Sequence, residues 1–259
     1  MEHVIRPIAR MRSDFSGKFG IPRQAGIVPE LESRIVFEPE YRKPESLRGI
    51  EGFSHLWLIW QFSENLRQDW SPTVRPPRLG GNRRLGVFAT RSPFRPNALG
   101  LSCVELLGLE ELPGLGLTLK VGGADLMDGT PIFDIKPYVP YADCKREARG
   151  GFAPDAGERL KVVWAPGTAD KLPENKLAAL AAVLARDPRP QYQHDPERLY
   201  AMDFAGYTLR FTVEGEELTV REAEPVLPGG ESPGMGGRNR QLTNCTEPIG
   251  GGNRGKLLC

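Results

Sequence analysis

Cysteine is scarce in this chain of 259 residues: Cys103, Cys144, Cys245 and Cys259 show no C-x-x-C spacing and no neighbouring histidine. Neither a zinc site nor a disulfide framework is indicated, and no metal is expected. Long apolar runs are missing as well. The N-terminus, MEHVIRPIARMRSDF, lacks the uninterrupted apolar core of a signal peptide, and no run approaches the roughly 18 residues of a membrane span. A soluble, cytoplasmic protein without a membrane partner is expected. Net charge is also lacking, because 34 Lys and Arg face 33 Asp and Glu for a formal charge of +1. That balance excludes a generally polybasic binder, so a nucleic-acid partner would have to be met by a local patch.

The usual nucleotide signatures are absent too. There is no Gly-rich turn between a strand and a helix, no P-loop, no G-x-S-x-G elbow and no helix-borne histidine pair. Gly114 and Gly116 flank Leu115 ahead of a strand, which reads as a turn. A nucleotide handled here must be held by loops on a β scaffold.

What is present is a local concentration of arginine. Arg67, Arg75, Arg78, Arg83, Arg84, Arg91 and Arg95 stand against one acid, Asp69, between residues 67 and 95. Several flank proline or sit in Ser/Pro/Asn turns, so their guanidinium groups leave the chain from restricted positions suited to carboxylate or phosphate. Some thirty residues later DLMDGTPIFDIKPYVP, residues 125 to 140, places an acidic turn before an apolar run carrying Asp134 and Lys136. Acids and bases grouped in loops at strand ends look like a site.

The remainder reads mostly as strands. His3 to Ile8 is a candidate edge strand, Arg34 to Glu38 a strand, and HLWLIWQF (55 to 62) is apolar on both faces, which predicts burial between two layers. LGVFAT (85 to 90) looks strand-like, Leu99 to Leu107 is apolar, and Leu115, Leu117, Leu119 and Val121 alternate with smaller or polar residues. Short strands joined by Gly/Pro loops, with almost no amphipathic helix before residue 145, predict a mainly β fold built on a small barrel. The charged, Gly-rich stretch 143 to 157 reads as a boundary. Beyond it, Leu160 to Trp164, one helix over 173 to 186 and a hairpin over 207 to 222 predict a smaller α+β domain. The expected division is a barrel domain over 1 to 145, a C-terminal domain over 146 to 226 and a Gly/Pro-rich disordered tail over 227 to 259.

The segments FGIPRQ (19 to 24), FSHLWLIW (53 to 60), PTVRPPRLGGNRRLGVFATRSPFRPNALGLS (72 to 102), DLMDGTPIFDIKPYVP and DPRP (187 to 190) closely resemble the TrmO family, also called TsaA-like. The resemblance runs from the N-terminus to about Glu224 and leaves out the tail. It implies a non-Rossmann, S-adenosylmethionine-dependent methyltransferase on a β-barrel, acting as a homodimer. The implied substrate is tRNA(Thr), methylated on the N6 nitrogen of threonylcarbamoyladenosine beside the anticodon. By similarity, Pro22, Arg23, Gln24, Ser63, Glu64, Arg91, Leu101, Gly122, Gly123, Ala124 and Asp125 match the family's cofactor-contacting positions, with Asp128, Gly129 and Thr130 continuing the wall. Arg23 or Arg91 is expected to hold the methionyl carboxylate, and Leu101 to lie against adenine.

The acceptor nitrogen belongs to a ureido group and is a poor nucleophile until deprotonated. Candidate bases are Asp128, Asp134, Tyr138 and, last, His55. Alternatively the site mainly aligns the nitrogen and lets the threonyl carboxylate or water accept the proton. Arg75, Arg78, Arg83, Arg84, Arg95 and Lys136 are candidates for anticodon-stem phosphates, and Phe94 or Tyr138 for stacking on a splayed base. Two other readings are a non-catalytic RNA-binding barrel and a methyltransferase acting on a small molecule. The intact RSPFRPN and DGTP loops oppose the first, and the arginine cluster opposes the second.

Overall fold

The computed structural model describes residues 3–65, 70–190, 193 and 195–226. The expectations for the tail from 227 onward, and for Arg67, Asp69, Gln191 and Tyr192, lie outside the described residues.

The barrel begins with β1 (Ala9–Arg12), where Ala9 and Met11 are buried while Arg10 and Arg12 face out. This alternation is what a half-buried strand requires. The strand expected at His3 to Ile8 therefore forms a few residues later, where small and apolar side chains alternate with arginine. Next come β2 (Glu32–Phe37), β3 (His55–Gln61), a short ribbon of β4 (Thr73–Val74) and β5 (Leu85–Gly86), then β6 (Leu99–Leu112), β7 (Gly116–Gly122) and β8 (Pro131–Pro137). Six of them close into a barrel in the order β1, β2, β7, β6, β3, β8, with every neighbouring pair antiparallel. Closure removes the exposed edges that an open sheet of this size would carry. Inside, Met11, Ile35, Leu56, Leu58, Val104, Leu119, Val121 and Ile132 are buried against one another.

The doubly apolar segment behaves differently from its prediction. In β3 the residues Leu56, Leu58 and Trp60 point inward, whereas Trp57 and Ile59 are only half-buried on the outer wall. A barrel has one enclosed face, so the second apolar stripe stays partly open. LGVFAT also departs from expectation, since only Leu85–Gly86 pairs as strand and Val87–Ala89 tightens into a 3-10 turn.

After the four-residue helix α1 (Pro140–Asp143), the C-terminal unit contains β9 (Lys161–Trp164), α2 (Glu174–Leu184), β10 (Tyr200–Phe204), β11 (Tyr207–Glu214) and β12 (Glu217–Pro225). Its four strands order as β10, β11, β12, β9, with β9 parallel to β12. The buried residues Ala179, Leu180, Val183 and Leu184 of α2 recur at helical spacing and cover one face of this sheet. No helix among the described residues is long and apolar enough to cross a membrane.

The long loop between β1 and β2 joins the two units. Its Phe15, Val28 and Leu31 are buried in the C-terminal core, and Phe19 stacks on Phe211 with ring centroids 6.4 Å apart. The backbone of the same loop is tied to the barrel, because Gly26 N–H donates to the Gly123 carbonyl at 2.8 Å and Gly123 N–H donates to that of Leu31 at 2.8 Å. Gly123 has φ +68°, which favours glycine, and a Cβ there would crowd the Gly26 Cα at 3.1 Å. The Pro22 to Gln24 segment is thereby held from behind by a core that belongs to the C-terminal unit.

Candidate active site

At one end of the barrel, extending onto its outer wall, lies a cleft of about 1030 Å³. Its walls come from the β1–β2 loop (Pro22, Arg23, Gln24), the exit of β3 (Ser63, Glu64), the loop from Thr90 to Asn97, the start of β6, and Asp125, Met127 and Thr130. Nine of the positions matched by resemblance meet here: Pro22, Arg23, Gln24, Ser63, Glu64, Arg91, Leu101, Asp125 and Thr130. Gly122, Gly123, Ala124, Asp128 and Gly129 are not in the lining; the first three form the buried backbone that aims Asp125 into it.

The walls are tied to one another. Arg91 donates to the Gln24 side-chain oxygen, linking the arginine-rich loop to the β1–β2 loop. Arg23 donates to the Arg189 carbonyl at 3.3 Å. Arg189 is itself buried and grips Asp187 through Nε at 2.8 Å and Nη2 at 2.9 Å. Asp187 holds φ +50°, an uncommon conformation for a residue with a side chain. The DPRP turn of the C-terminal unit thus sets the position of an arginine in the cleft.

The floor contains a relay that reading by motif does not reveal. Trp60 Nε1–H donates to Ser102 Oγ at 2.9 Å, and Ser102 Oγ–H donates to Asp125 Oδ1 at 2.6 Å. Trp60 and Ser102 belong to neighbouring strands, and only the register of β3 against β6 brings them together. Burial pushes the Asp125 carboxyl above the ordinary carboxylate range, against the opposing pull of Ser102, of backbone N–H groups including that of Ala25, and of the Arg91 charge. Asp125 and Glu64 are the carboxylates among the lining residues.

The expected bases lie elsewhere. Asp128 Oδ1 accepts from Ser13 N–H at 3.1 Å and Oδ2 from Arg12 at 3.3 Å, beside a smaller polar cavity shared with Asp14 and Lys176. Its turn is a backbone hook: Asp128 N–H donates to Phe15 O, and Gly129 N–H to Met11 O. Asp134 stands opposite Ile59, which itself stands opposite Leu101, so it is two strand spacings, about 10 Å, from Leu101 along the outer wall. Asp134 is paired with Lys136 at 2.9 Å. Tyr138 packs near Trp57 and His55, at centroid distances of 5.9 and 6.1 Å, and desolvation raises its phenol above the usual range. His55 Nδ1 lies 3.0 Å from Ser54 Oγ.

The basic candidates divide by partner. Arg78 donates to the Asp155 carbonyl and carboxylate at 2.5 Å each, Arg84 to Thr73 Oγ1 at 2.8 Å, and Arg95 to the carbonyls of Thr90 and Ser92. Arg75 and Arg83 are exposed and have no charged or polar partner among the described residues. Of these arginines, Arg95 lines the cleft. Among the described residues no group of three or more His, Cys, Asp or Glu side chains could hold a metal ion.

A sulfonium amino acid joined to adenosine demands a cationic or N–H partner for its carboxylate, an acid for its ammonium and an apolar slot for its base. Groups of these kinds, Arg23 and Arg91, Asp125, and the outer-wall pair Ile59 and Leu101, line one cleft.

Residues 10–144 match the tRNA-methyltransferase O N-terminal domain family, and residues 157–226 match the TrmO C-terminal domain family. A protein of Escherichia coli strain K12 named tRNA (adenine(37)-N6)-methyltransferase is 39% identical over 228 residues, covering 84% of this chain and 96% of its own length. A protein of the same name from Eikenella corrodens is 47% identical over 163 residues, 62% of this chain and 92% of its own. The crystal structure of TrmO from Pseudomonas aeruginosa superposes with a TM-score of 0.70 at 33% identity, covering 86% of this chain and 100% of that one.

Proposed function

The chain belongs to the TrmO family, and from that premise we propose that it is a tRNA methyltransferase acting at adenosine 37, with S-adenosylmethionine as methyl donor and threonylcarbamoyladenosine of tRNA(Thr) as the modified nucleoside. The observation that carries this reading is the joining of the two signature loops, through Arg91 and Gln24, around a cleft whose floor is a desolvated carboxylate. When bound, the cofactor supplies an electrophilic methyl group on a sulfonium.

The chain's own contribution is binding and alignment. Arg23 and Arg91 receive the methionyl carboxylate, with Arg23 steadied by the DPRP turn. Asp125, fixed by Ser102, faces the ammonium. Ile59 and Leu101 form the apolar slot for adenine. Leu101 is 54% exposed, so the slot is open on one side, and a second copy of the chain closing it fits a homodimer. Asp128, Asp134 and Tyr138 lie outside the cleft lining. Glu64 and Asp125 are the carboxylates that remain in the lining, with Asp125 assigned to the ammonium; the chain mainly aligns the acceptor nitrogen in line with the methyl group, and its proton passes to the threonyl carboxylate or water. In this reading residues 1 to 145 carry the chemistry and 146 to 226 brace the cofactor loop and extend the RNA surface.

Titration with S-adenosylmethionine, then with unmodified, threonylcarbamoylated and unrelated tRNAs at several salt concentrations, tests the proposal. Saturable cofactor binding with preference for the modified tRNA is expected. A barrel that binds RNA but not the cofactor, or the cofactor but no tRNA, would instead support one of the two rival classes. Arg83→Ala should flatten the dependence of log affinity on log salt by about one unit. Lys136→Ala should change it less, since Lys136 already pairs with Asp134.

A further inference from the structure

Phe88 is 73% exposed and Trp70 48% exposed, two large aromatic rings left in solvent on the same ribbon. They are not loosely placed. Their centroids are 6.1 Å apart with planes 29° from parallel. The ribbon pairs Thr73 with Gly86 and Val74 with Leu85. Val87, next to Phe88, is buried, and its N–H donates to the Pro72 carbonyl at 3.0 Å. Thr90 closes the turn from the other side by donating to the Val87 carbonyl at 2.8 Å. The backbone thus presents Phe88 outward from a pinned turn with Trp70 stacked beside it, which lowers the entropy lost when a ligand settles on the pair.

The surroundings indicate the ligand. Residues 70 to 100 contain no Asp or Glu. Arg75, Arg83 and Arg84 are exposed on the same ribbon. Phe88 also lines the cleft that holds Arg91 and Asp125. Exposed aromatic faces interleaved with guanidinium groups fit a polyanion whose units carry flat π-faces, a single-stranded nucleic acid. An acidic peptide would satisfy the arginines but would leave both rings uncovered.

We propose that Phe88 and Trp70 form a stacking platform for an unpaired base next to the target adenosine, so that one nucleotide is held on the rim while its neighbour enters the cleft. The platform rests on the tRNA methyltransferase reading and adds to it the means by which the loop is splayed. Extruding a base requires unstacking it from its neighbours, and an aromatic surface on the rim replaces the stacking that the adjacent base loses.

The test uses the full chain, an anticodon stem-loop RNA carrying the modified adenosine, and two versions of that RNA lacking the base immediately 5′ or 3′ of the target. Phe88→Ala and Trp70→Ala should weaken the intact RNA by about five- to hundredfold, the range for losing one base stack. The salt slope should be unchanged, because no phosphate contact is removed. Phe88→Tyr should restore affinity. One of the two abasic RNAs should bind wild-type protein weakly and be indifferent to Phe88→Ala, while S-adenosylmethionine still titrates into Trp70→Ala, whose ring is not part of the cleft lining, and reports an intact cleft. Wild-type affinity of Phe88→Ala for the intact RNA would overturn the platform, as would equal losses for the intact and both abasic RNAs. A changed monomer–dimer equilibrium at unchanged RNA affinity would overturn it too, by assigning the rings to a protein contact. Failure of the wild-type protein to bind any of the RNAs would sink the methyltransferase reading itself.

Discussion

Replacing Asp125 with asparagine is expected to weaken S-adenosylmethionine binding about tenfold to a hundredfold, the range for losing a charge-assisted hydrogen bond. The shape of the floor should survive, because an asparagine oxygen can still accept from Ser102, which now donates at 2.6 Å. What disappears is the negative charge that faces the ammonium. The same substitution should alter the pH dependence of stability. Burial raises the folded-state pKa of Asp125, so between its unfolded value of about 3.9 and the folded value the native state binds more protons than the unfolded chain. Stability from this group is therefore greatest when it is protonated and falls as pH rises through that window. Asparagine removes the titration, so the stability of Asp125→Asn relative to wild type should climb as pH rises above about 4 and level off beyond the folded pKa. Thermal melts across pH, with isothermal titration of the cofactor, check both halves. A variant that keeps cofactor affinity, or whose stability tracks wild type at every pH, would remove Asp125 from the role assigned to it.

Gly100→Ala is the second large effect. Gly100 pairs directly with Trp60 across β6 and β3, and a Cβ at this position would lie 2.7 Å from Trp60 Cδ2 and closer still to Cε2 and Cζ2. The indole cannot yield freely, since its Nε1–H is committed to Ser102 and its ring packs on Phe62 at 4.3 Å. Overpacking of this kind costs about 1 to 3 kcal/mol. For a domain of this size each kcal/mol lowers Tm by roughly 2 to 4 °C. A displaced Trp60 also releases Ser102 from its donor, so cofactor affinity should fall along with stability. Adding Trp60→Leu should recover part of the lost stability, a coupling that a double-mutant cycle measures. Independent, additive losses would show that ring and methyl do not compete for the same space.

The barrel was legible because its connections are rich in Gly and Pro and strands such as β7 alternate, with buried Leu119 and Val121 flanking Lys120; β1 was expected a few residues too early. The concentration of arginine between residues 67 and 95 was legible for a chemical reason, because proline-restrained guanidiniums suit anions, whereas the PRQ segment entered only through resemblance to the TrmO family. Long-range register was not legible. Trp60, Ser102 and Asp125 acquire a joint role only when β3 lies against β6 in one alignment, and no local pattern encodes that. Asp128 shows the converse. Its DGT turn has the composition of a site, yet its carboxylate accepts from Ser13 and Arg12 and its backbone fastens β1. The Phe15 loop was hidden for a third reason, as its punctuated sequence conceals three side chains buried in the core of the other unit.

The most direct measurement is nucleoside analysis of tRNA(Thr) carrying threonylcarbamoyladenosine after incubation with the protein and S-adenosylmethionine. If the joined loops form a methyl-transfer cleft for adenosine 37, the threonylcarbamoyladenosine peak should give way to its N6-methyl derivative. No methyl group should appear elsewhere in the tRNA. Unchanged threonylcarbamoyladenosine with the cofactor demonstrably bound, or a methyl group on any other nucleoside, would contradict it.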